Sequence, residues 1–207
     1  DLESVNHYKD QSDIFFTCHE FSYNKIAEAY EPYLGLIRQM FHKYCSGTLE
    51  EFMEECDVYK LQRPVFESYF EKGFCERTEQ ILIDEVEYEQ ERMHSSIVTM
   101  LQKLSEICPI VIVLNRFQLA SKSTMQLTNR LLQTKNKNIG IVLGVNDVQS
   151  IPEFAHEEWD AICESMDDRN MVYHIGNAGR NMEPDVMDYY SDYESDDGYR
   201  KLNNLVY

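Results

Sequence analysis

The apolar run Ile110–Leu114, with Pro109 before it and Asn115 and Arg116 after it, is the feature that most limits how this chain folds. An uninterrupted apolar run of this length is typical of a parallel strand that is buried on both faces of a sheet. In open α/β sheets, ligands bind beside the carboxyl ends of such strands. The run therefore predicts an α/β fold with Asn115 and Arg116 at a candidate ligand site.

Three other short segments share this apolar, β-branched or aromatic character, which is typical of central strands. The four predicted strands are Asp13–Cys18, Ile110–Asn115, Ile139–Asn146 and Met171–Gly176. The segments between them have helical spacing of apolar residues. Strands that alternate with helices predict a parallel sheet with right-handed crossovers.

Capping residues mark where several of these helices begin and end. Thr48 and Glu51 fit a capping box, and Ser121 or Ser123 suits the N-cap of a later helix. Pro64 favours a first helical turn and Gly73 favours a helix end. The predicted helices begin near Pro32, Thr48, Arg63, Thr78, Ser121 and Glu157; the fourth ends near Ile107 and the last near Met166.

Composition excludes several classes of protein. A chain of 207 residues with 43% hydrophobic residues has the composition of a globular protein. Its net charge of -18, from 37 acidic and 19 basic residues, argues against a broad nucleic-acid surface. No apolar run approaches the roughly 18 residues of a membrane span. The six scattered cysteines, with no Cys-x-x-Cys pair and no signal peptide, favour a cytoplasmic location.

The chain is expected to contain one main domain and a different C-terminal part. We predict a lead-in loop at 1–12, a domain at 13–179, an acidic tyrosine-rich linker at 180–198 and the start of a further helical region at 199–207. Seven acids and no base lie between Glu183 and Asp197. A run of like charges is usually a solvated linker, and the alternative is a docking segment for a basic partner. Because the chain begins at Asp1 without a methionine, we expect it to be part of a longer protein.

The segment Asn115-Arg116-Phe117-Gln118-Leu119-Ala120-Ser121 resembles the Walker B region of STAND-type P-loop ATPases, the signal-transducing relatives of the AAA+ group. Ser123-Thr124 and the leucine-rich helix that follows extend the likeness. Cys18-His19-Glu20 is similar to the end of the second strand of that family, and Asn146 stands at its polar sensor position. The resemblance covers 13–179.

This resemblance implies a P-loop NTPase-like three-layer sandwich that lacks its first strand. The family's strand order is 5-1-4-3-2, so the absent strand leaves a slot between the strands predicted at Ile139–Asn146 and Met171–Gly176. We expect either that these two strands pair directly or that one edge stays open.

Two departures from the family pattern affect the expected chemistry. The phosphate-binding loop G-x-x-x-x-G-K-[ST] is absent, since no glycine of the chain is followed by lysine. The two Walker B acids are replaced by Asn115 and Arg116, which removes magnesium anchoring and water activation. No H-E-x-x-H or G-x-S-x-G motif offers another site. We therefore predict no catalytic residue and no metal ligand in this chain.

The resemblance implies a regulatory ATPase module that binds nucleotide in the longer protein and hydrolyses it weakly or not at all. Asn115, Arg116 and Asn146 are the candidate cofactor-binding residues by position, ATP and Mg are the implied cofactors of the longer protein, and none is expected for this chain alone. The implied partners are other proteins or a C-terminal repeat domain of the same protein, with no nucleic acid and no membrane. The alternative hypothesis is a non-enzymatic protein-interaction scaffold.

Overall fold

The structure is a computed structural model that describes residues 14–23, 29–73, 86–145, 151–167, 172–173 and 204–206. The chain forms two compact units. Unit 1 contains the residues up to Phe15 together with Glu31–Ile110, and unit 2 contains Phe16–Tyr30 together with Val111–Tyr207.

Unit 1 is helical. Its helices are α1 (Glu31–Tyr44), α2 (Leu49–Glu55), α3 (Arg63–Lys72) and α4 (Val86–Ile107). Helix α1 packs on α4, and apolar side chains from all four helices form the core of this unit. Its largest fully buried side chains include Tyr33, Met40, Phe66 and Leu101. The amphipathic spacing seen in the sequence is therefore a core-facing stripe on each helix.

Local signals in the sequence correctly located the start of α2 and both ends of α3. Thr48 Oγ1 accepts a hydrogen bond from the Glu51 N–H at 3.2 Å, and the Thr48 N–H donates to Glu51 Oε2 at 2.8 Å, which confirms the capping box. Pro64 lies in the first turn of α3, and Gly73 ends it with a left-handed φ of 80°. The predicted helix that starts at Thr78 is described from Val86 onward.

Unit 2 carries the sheet and two helices. The strands are β1 (Phe15–Glu20), β2 (Ile110–Asn115), β3 (Ile139–Gly144), β4 (Val172–Tyr173) and β5 (Asn204–Val206), and the first residues of β1 and β2 are counted with unit 1. The helices are α5 (Lys122–Gln133) and α6 (His156–Asp167). Ser121 caps α5, as predicted, by accepting a hydrogen bond from the Thr124 N–H.

The sheet confirms the α/β class and the parallel arrangement of β1, β2 and β3. Side chains of β2 are buried on both faces: Ile112 and Leu114 are inaccessible to solvent and Val113 is buried. This is the burial that the apolar run Ile110–Leu114 predicted.

The strand order is β1-β2-β3-β5-β4. Both predictions for the slot between β3 and β4, direct pairing or an open edge, are therefore wrong. The strands β3 and β4 do not pair directly, and the edge of β3 does not stay open. Instead β5 lies between them, antiparallel to both, with Val142 opposite Val206 and Gly144 opposite Asn204. The main-chain groups of β3 thus find partners in a segment from the far end of the chain.

Several element boundaries differ from those predicted. Strand β1 ends at Glu20 and not at Cys18, and β3 ends at Gly144 and not at Asn146. Residues Asn204–Val206 are a strand, where the amphipathic pattern of 199–207 predicted a helix, because pairing with β3 outweighs the local periodicity. The predicted lead-in at 1–12 and the acidic linker at 180–198 lie outside the described residues.

Two glycines of unit 1 provide a matched test of this backbone geometry. Gly73→Ala places a β-carbon on a residue with φ of 80°, 3.1 Å from Arg38 Nη1, and we expect it to destabilise the protein by about 1 kcal/mol. Gly35→Ala, inside α1, brings its β-carbon 3.6 Å from Tyr69 Oη, an ordinary contact. This second change should stabilise the protein by about 0.5–1 kcal/mol. Urea unfolding of both variants measures the two signs, and equal signs would contradict the described backbone.

Candidate site at the carboxyl end of the sheet

The carboxyl ends of β1 and β2 bring together the residues that the sequence singled out. Glu20 ends β1, Asn115 ends β2 and Arg116 follows it directly. Asn146, the third candidate, lies outside the described residues. Two of the three candidate residues thus occupy the sheet edge where ligands of α/β proteins bind.

Asn115 holds the ends of β1 and β2 together. Its main-chain carbonyl accepts a hydrogen bond from the Phe21 N–H at 3.1 Å, and its Nδ2 donates to Cys18 Sγ at 3.8 Å. The side-chain amide is half-buried and faces the neighbouring strand. Its Oδ1 is a neutral carbonyl oxygen, which can accept a hydrogen bond but carries no charge for a metal.

Arg116 has a left-handed backbone conformation, with φ of 55° and ψ of 43°. Among the described residues, three others with side chains have positive φ. Asp57 and Lys135 each follow a helix end, where this conformation is a common way to stop a helix, and Tyr30, with φ of 62°, directly precedes α1. Arg116 instead follows a strand and begins a 3-10 turn, Phe117–Leu119. A residue other than glycine in this region costs about 1–2 kcal/mol, so the turn stores strain at the strand end.

The Arg116 guanidinium forms an ion pair with the acid of the neighbouring strand. Its Nη2 lies 3.3 Å from Glu20 Oε1, and the two side chains are 40% and 46% exposed. An ion pair with this exposure contributes only about 0–1 kcal/mol. Arg116 is therefore neutralised in this state by a partner that it can lose at little cost.

Gln118, in the middle of the 3-10 turn, is a residue whose importance sequence reasoning missed. Its side chain is fully buried, and within the described part of the protein neither its Nε2 nor its Oε1 has a hydrogen-bond partner. A buried amide without partners costs about 1–3 kcal/mol. No sequence signal marked this burial, because a glutamine after a strand is usually at the surface.

Aromatic contacts couple the turn to the helices of unit 2. The Phe117 ring is fully buried and lies 6.2 Å from the ring of Phe21 and 6.3 Å from that of Trp159 on α6. Ring pairs at these distances add to the stability gained by burial. Any rearrangement of the turn must therefore change the surroundings of Trp159.

The start of α5 is fixed to α6 by a buried carboxylate. Glu158 Oε1 accepts hydrogen bonds from Lys122 Nζ at 3.0 Å and from Gln126 Nε2 at 2.9 Å. Burial by itself raises the pKa of Glu158. The hydrogen bond from Lys122, a hydrogen bond from the main chain, the hydrogen bond from Gln126 and the Lys122 charge outweigh it and hold the pKa below its usual value. The other oxygen, Oε2, is buried and unpartnered among the described residues.

The residues at this edge fit a phosphate group and do not fit a magnesium ion. Magnesium prefers carboxylate oxygens and water, but the acid here, Glu20, is paired with a guanidinium that would repel a cation. Arginine, by contrast, binds phosphate oxygens with two parallel N–H donors. Across the described ranges no group of three His, Cys, Asp or Glu side chains is arranged to hold a metal ion.

Comparison of the chain with known protein families, with curated proteins and with solved structures found no match. Among the helices of the described part, none has the length and apolar character to cross a membrane. The function therefore has to be inferred from the residues of the site and from the order of the strands.

Glu158 gives this region a testable pH dependence. A carboxyl whose pKa is lower in the folded protein stabilises the fold above its usual pKa of 4.5, and this contribution is lost as the pH falls through the folded value. We expect Glu158→Gln to reduce stability at pH 7 by about 1–3 kcal/mol and to flatten the loss of stability between roughly pH 5 and pH 3. Glu157→Gln, on the exposed face of the same helix, is the matched control and should change stability by less than about 0.5 kcal/mol. Thermal melts across this pH range that superimpose for both variants would contradict the assignment.

Proposed function

We propose that this chain is part of a regulatory STAND-like P-loop module, which binds nucleotide only with residues of a longer protein and does not hydrolyse it. In such a module the nucleotide acts as a conformational latch. ATP is the proposed cofactor, the proposed location is cytoplasmic, and the proposed partners are other proteins or a C-terminal domain of the same protein.

The order of the strands is the observation that carries this proposal. If β1, β2, β3 and β4 correspond to the second, third, fourth and fifth strands of the family, the family order 5-1-4-3-2 places one missing strand between β3 and β4. The observed order has one strand, β5, in that position, and it runs antiparallel to β3. A sheet that is otherwise parallel thus has a short antiparallel segment where the phosphate-loop strand is expected.

The chemistry of the strand end supports binding without hydrolysis. Asn115 offers a neutral oxygen in place of the acid that would anchor magnesium. Arg116 cannot act as a base because its guanidinium stays protonated, and Glu20 is occupied by Arg116. In this proposal Arg116 contacts a phosphate, while Asn115 and Asn146 orient polar groups of the nucleotide.

An interaction scaffold remains the second candidate, and exposed side chains of unit 1 favour it. Leu61 and Tyr88 are 78% and 69% exposed. They lie next to Gln62 and Glu89, which are joined by a hydrogen bond of 3.0 Å from Gln62 Nε2 to the Glu89 carbonyl. Exposed apolar side chains at one surface are typical of protein-binding sites.

A nucleotide titration tests the first proposal directly. A fluorescent ATP analogue is titrated into this chain and into protein that extends upstream of Asp1, with and without magnesium. We expect saturable binding in the longer protein alone, little dependence on magnesium, and no phosphate release above background, because the strand end lacks both acids.

The control for this titration is Asn115→Asp/Arg116→Asp in the longer protein, which restores the acids and should make binding depend on magnesium. Absence of binding in every form of the protein would remove the nucleotide from the function and leave the interaction scaffold.

A further inference from the structure

Three unusual features meet in the segment Asn115–Ala120, which we call the strand-end turn. They are the left-handed Arg116, its ion pair with Glu20, and the buried Gln118, whose amide has no hydrogen-bond partner among the described residues. We propose that the strand-end turn is a two-state switch, opened by a phosphate oxyanion that replaces Glu20 at Arg116. The identity of the natural ligand as a nucleotide rests on the function proposed above, but the switch itself does not.

In the proposed switch the turn has a second conformation, in which Arg116 leaves the left-handed region. Arg116 follows a strand, so the helix stop that accounts for Asp57 and Lys135 does not account for its positive φ. Strain of this sort persists where the surrounding structure holds it in place, and it is common in segments that change conformation. Release of Arg116 into the right-handed region would remove the strain and carry Phe117 and Gln118 with it.

Gln118 adds a second reason for the turn to open. In the closed state its amide is inaccessible to solvent and unpartnered within the described residues. Movement of the turn that brings this amide to water recovers its hydrogen bonds. The closed state thus has two unfavourable features, the left-handed backbone of Arg116 and the buried amide of Gln118, and one rearrangement relieves both.

In the proposed switch, the ion pair between Arg116 and Glu20 controls whether the turn opens. Arg116 Nη2 and Glu20 Oε1 are 3.3 Å apart, a single contact between two side chains that are each close to half-exposed. A phosphate group can accept two parallel N–H bonds from a guanidinium and carries more charge than one carboxylate. A phosphate oxyanion should therefore compete with Glu20 for Arg116.

Trp159 reports on the switch without any label. It is the only tryptophan of the chain, it is buried, and its ring lies 6.3 Å from that of Phe117 in the strand-end turn. Movement of Phe117 changes the packing around the indole. Its intrinsic fluorescence therefore measures the state of the turn.

The experiment titrates pyrophosphate, without magnesium, into the full 207-residue chain and follows Trp159 fluorescence. We expect a saturable change in the wild type, a Kd about twofold to fivefold lower in Glu20→Gln because the competing carboxylate is gone, and no response in Arg116→Gln. Glu55→Gln is the matched control, since it removes the acid of a similarly exposed pair, 3.4 Å from Lys103 in unit 1. Its titration should superimpose on that of the wild type.

Gln118→Met separates a switch from a simple anion site. Methionine has a similar volume and needs no hydrogen bonds, so it should stabilise the closed turn and raise the Tm. Because this change favours the closed state and does not touch the ligand, the Kd for pyrophosphate should rise severalfold. A raised Tm with an unchanged Kd would overturn the two-state switch, and so would an unchanged Tm.

Three ligands identify the group that is recognised. Pyrophosphate and tripolyphosphate should both produce the response, and adenosine should not. A response to adenosine, a response that survives in Arg116→Gln, or no response in either the wild type or Glu20→Gln would each overturn the inference. The switch and the proposed function can fail separately. If the ATP analogue binds the longer protein but pyrophosphate gives no response in this chain, the switch is contradicted and the proposed function is not.

Discussion

The two-sided burial of β2 is the constraint on which the rest of unit 2 depends. Strand β2, Ile110–Asn115, lies between β1 and β3, and its apolar side chains other than Val111 are buried. Burial of this kind contributes about 25 cal/mol for each Å² of apolar surface. It also requires that every main-chain N–H and C=O of the strand be paired, which the flanking parallel strands achieve. The first polar side chains after the strand are therefore held at a defined place, the carboxyl end of the sheet.

That position determines which ligands Asn115, Arg116 and Glu20 can contact. In a sheet of this kind the strand end is rigid, so a strained turn can be maintained there by the packing of Phe117 against Phe21 and Trp159. The charges present, a guanidinium against one carboxylate, suit an oxyanion and oppose a metal ion. The amide of Gln118, unpaired within the described ranges, and the strained backbone of Arg116 are costs that a purely structural turn would not need to carry.

Strand β5 covers the edge of β3 that would otherwise be exposed. The strand β3 is apolar and mostly buried, and an unpaired edge on such a strand favours association with other chains. Asn204–Val206 pair with Val142–Gly144 on one side and with β4 on the other. Three residues make few hydrogen bonds, and ordering them across a long connection has an entropic cost, so this closing strand adds less to stability than the six-residue strands β1, β2 and β3.

Features that depend on neighbouring residues alone could be predicted from the sequence. The capping box at Thr48, the stop at Gly73, the cap at Ser121 and the central strand at Ile110–Asn115 all rest on hydrogen bonds or burial patterns within a few residues. The α/β class and the location of Asn115 and Arg116 followed from the same local patterns.

Features that join distant parts of the chain could not be predicted. The place of β5, the pairing of Arg116 with Glu20, and the burial of Gln118 depend on strand register and on packing between segments that are far apart in the sequence. Only the tertiary structure decides these, because a local propensity of a few tenths of a kcal/mol is outweighed by the burial and pairing that the folded chain makes available.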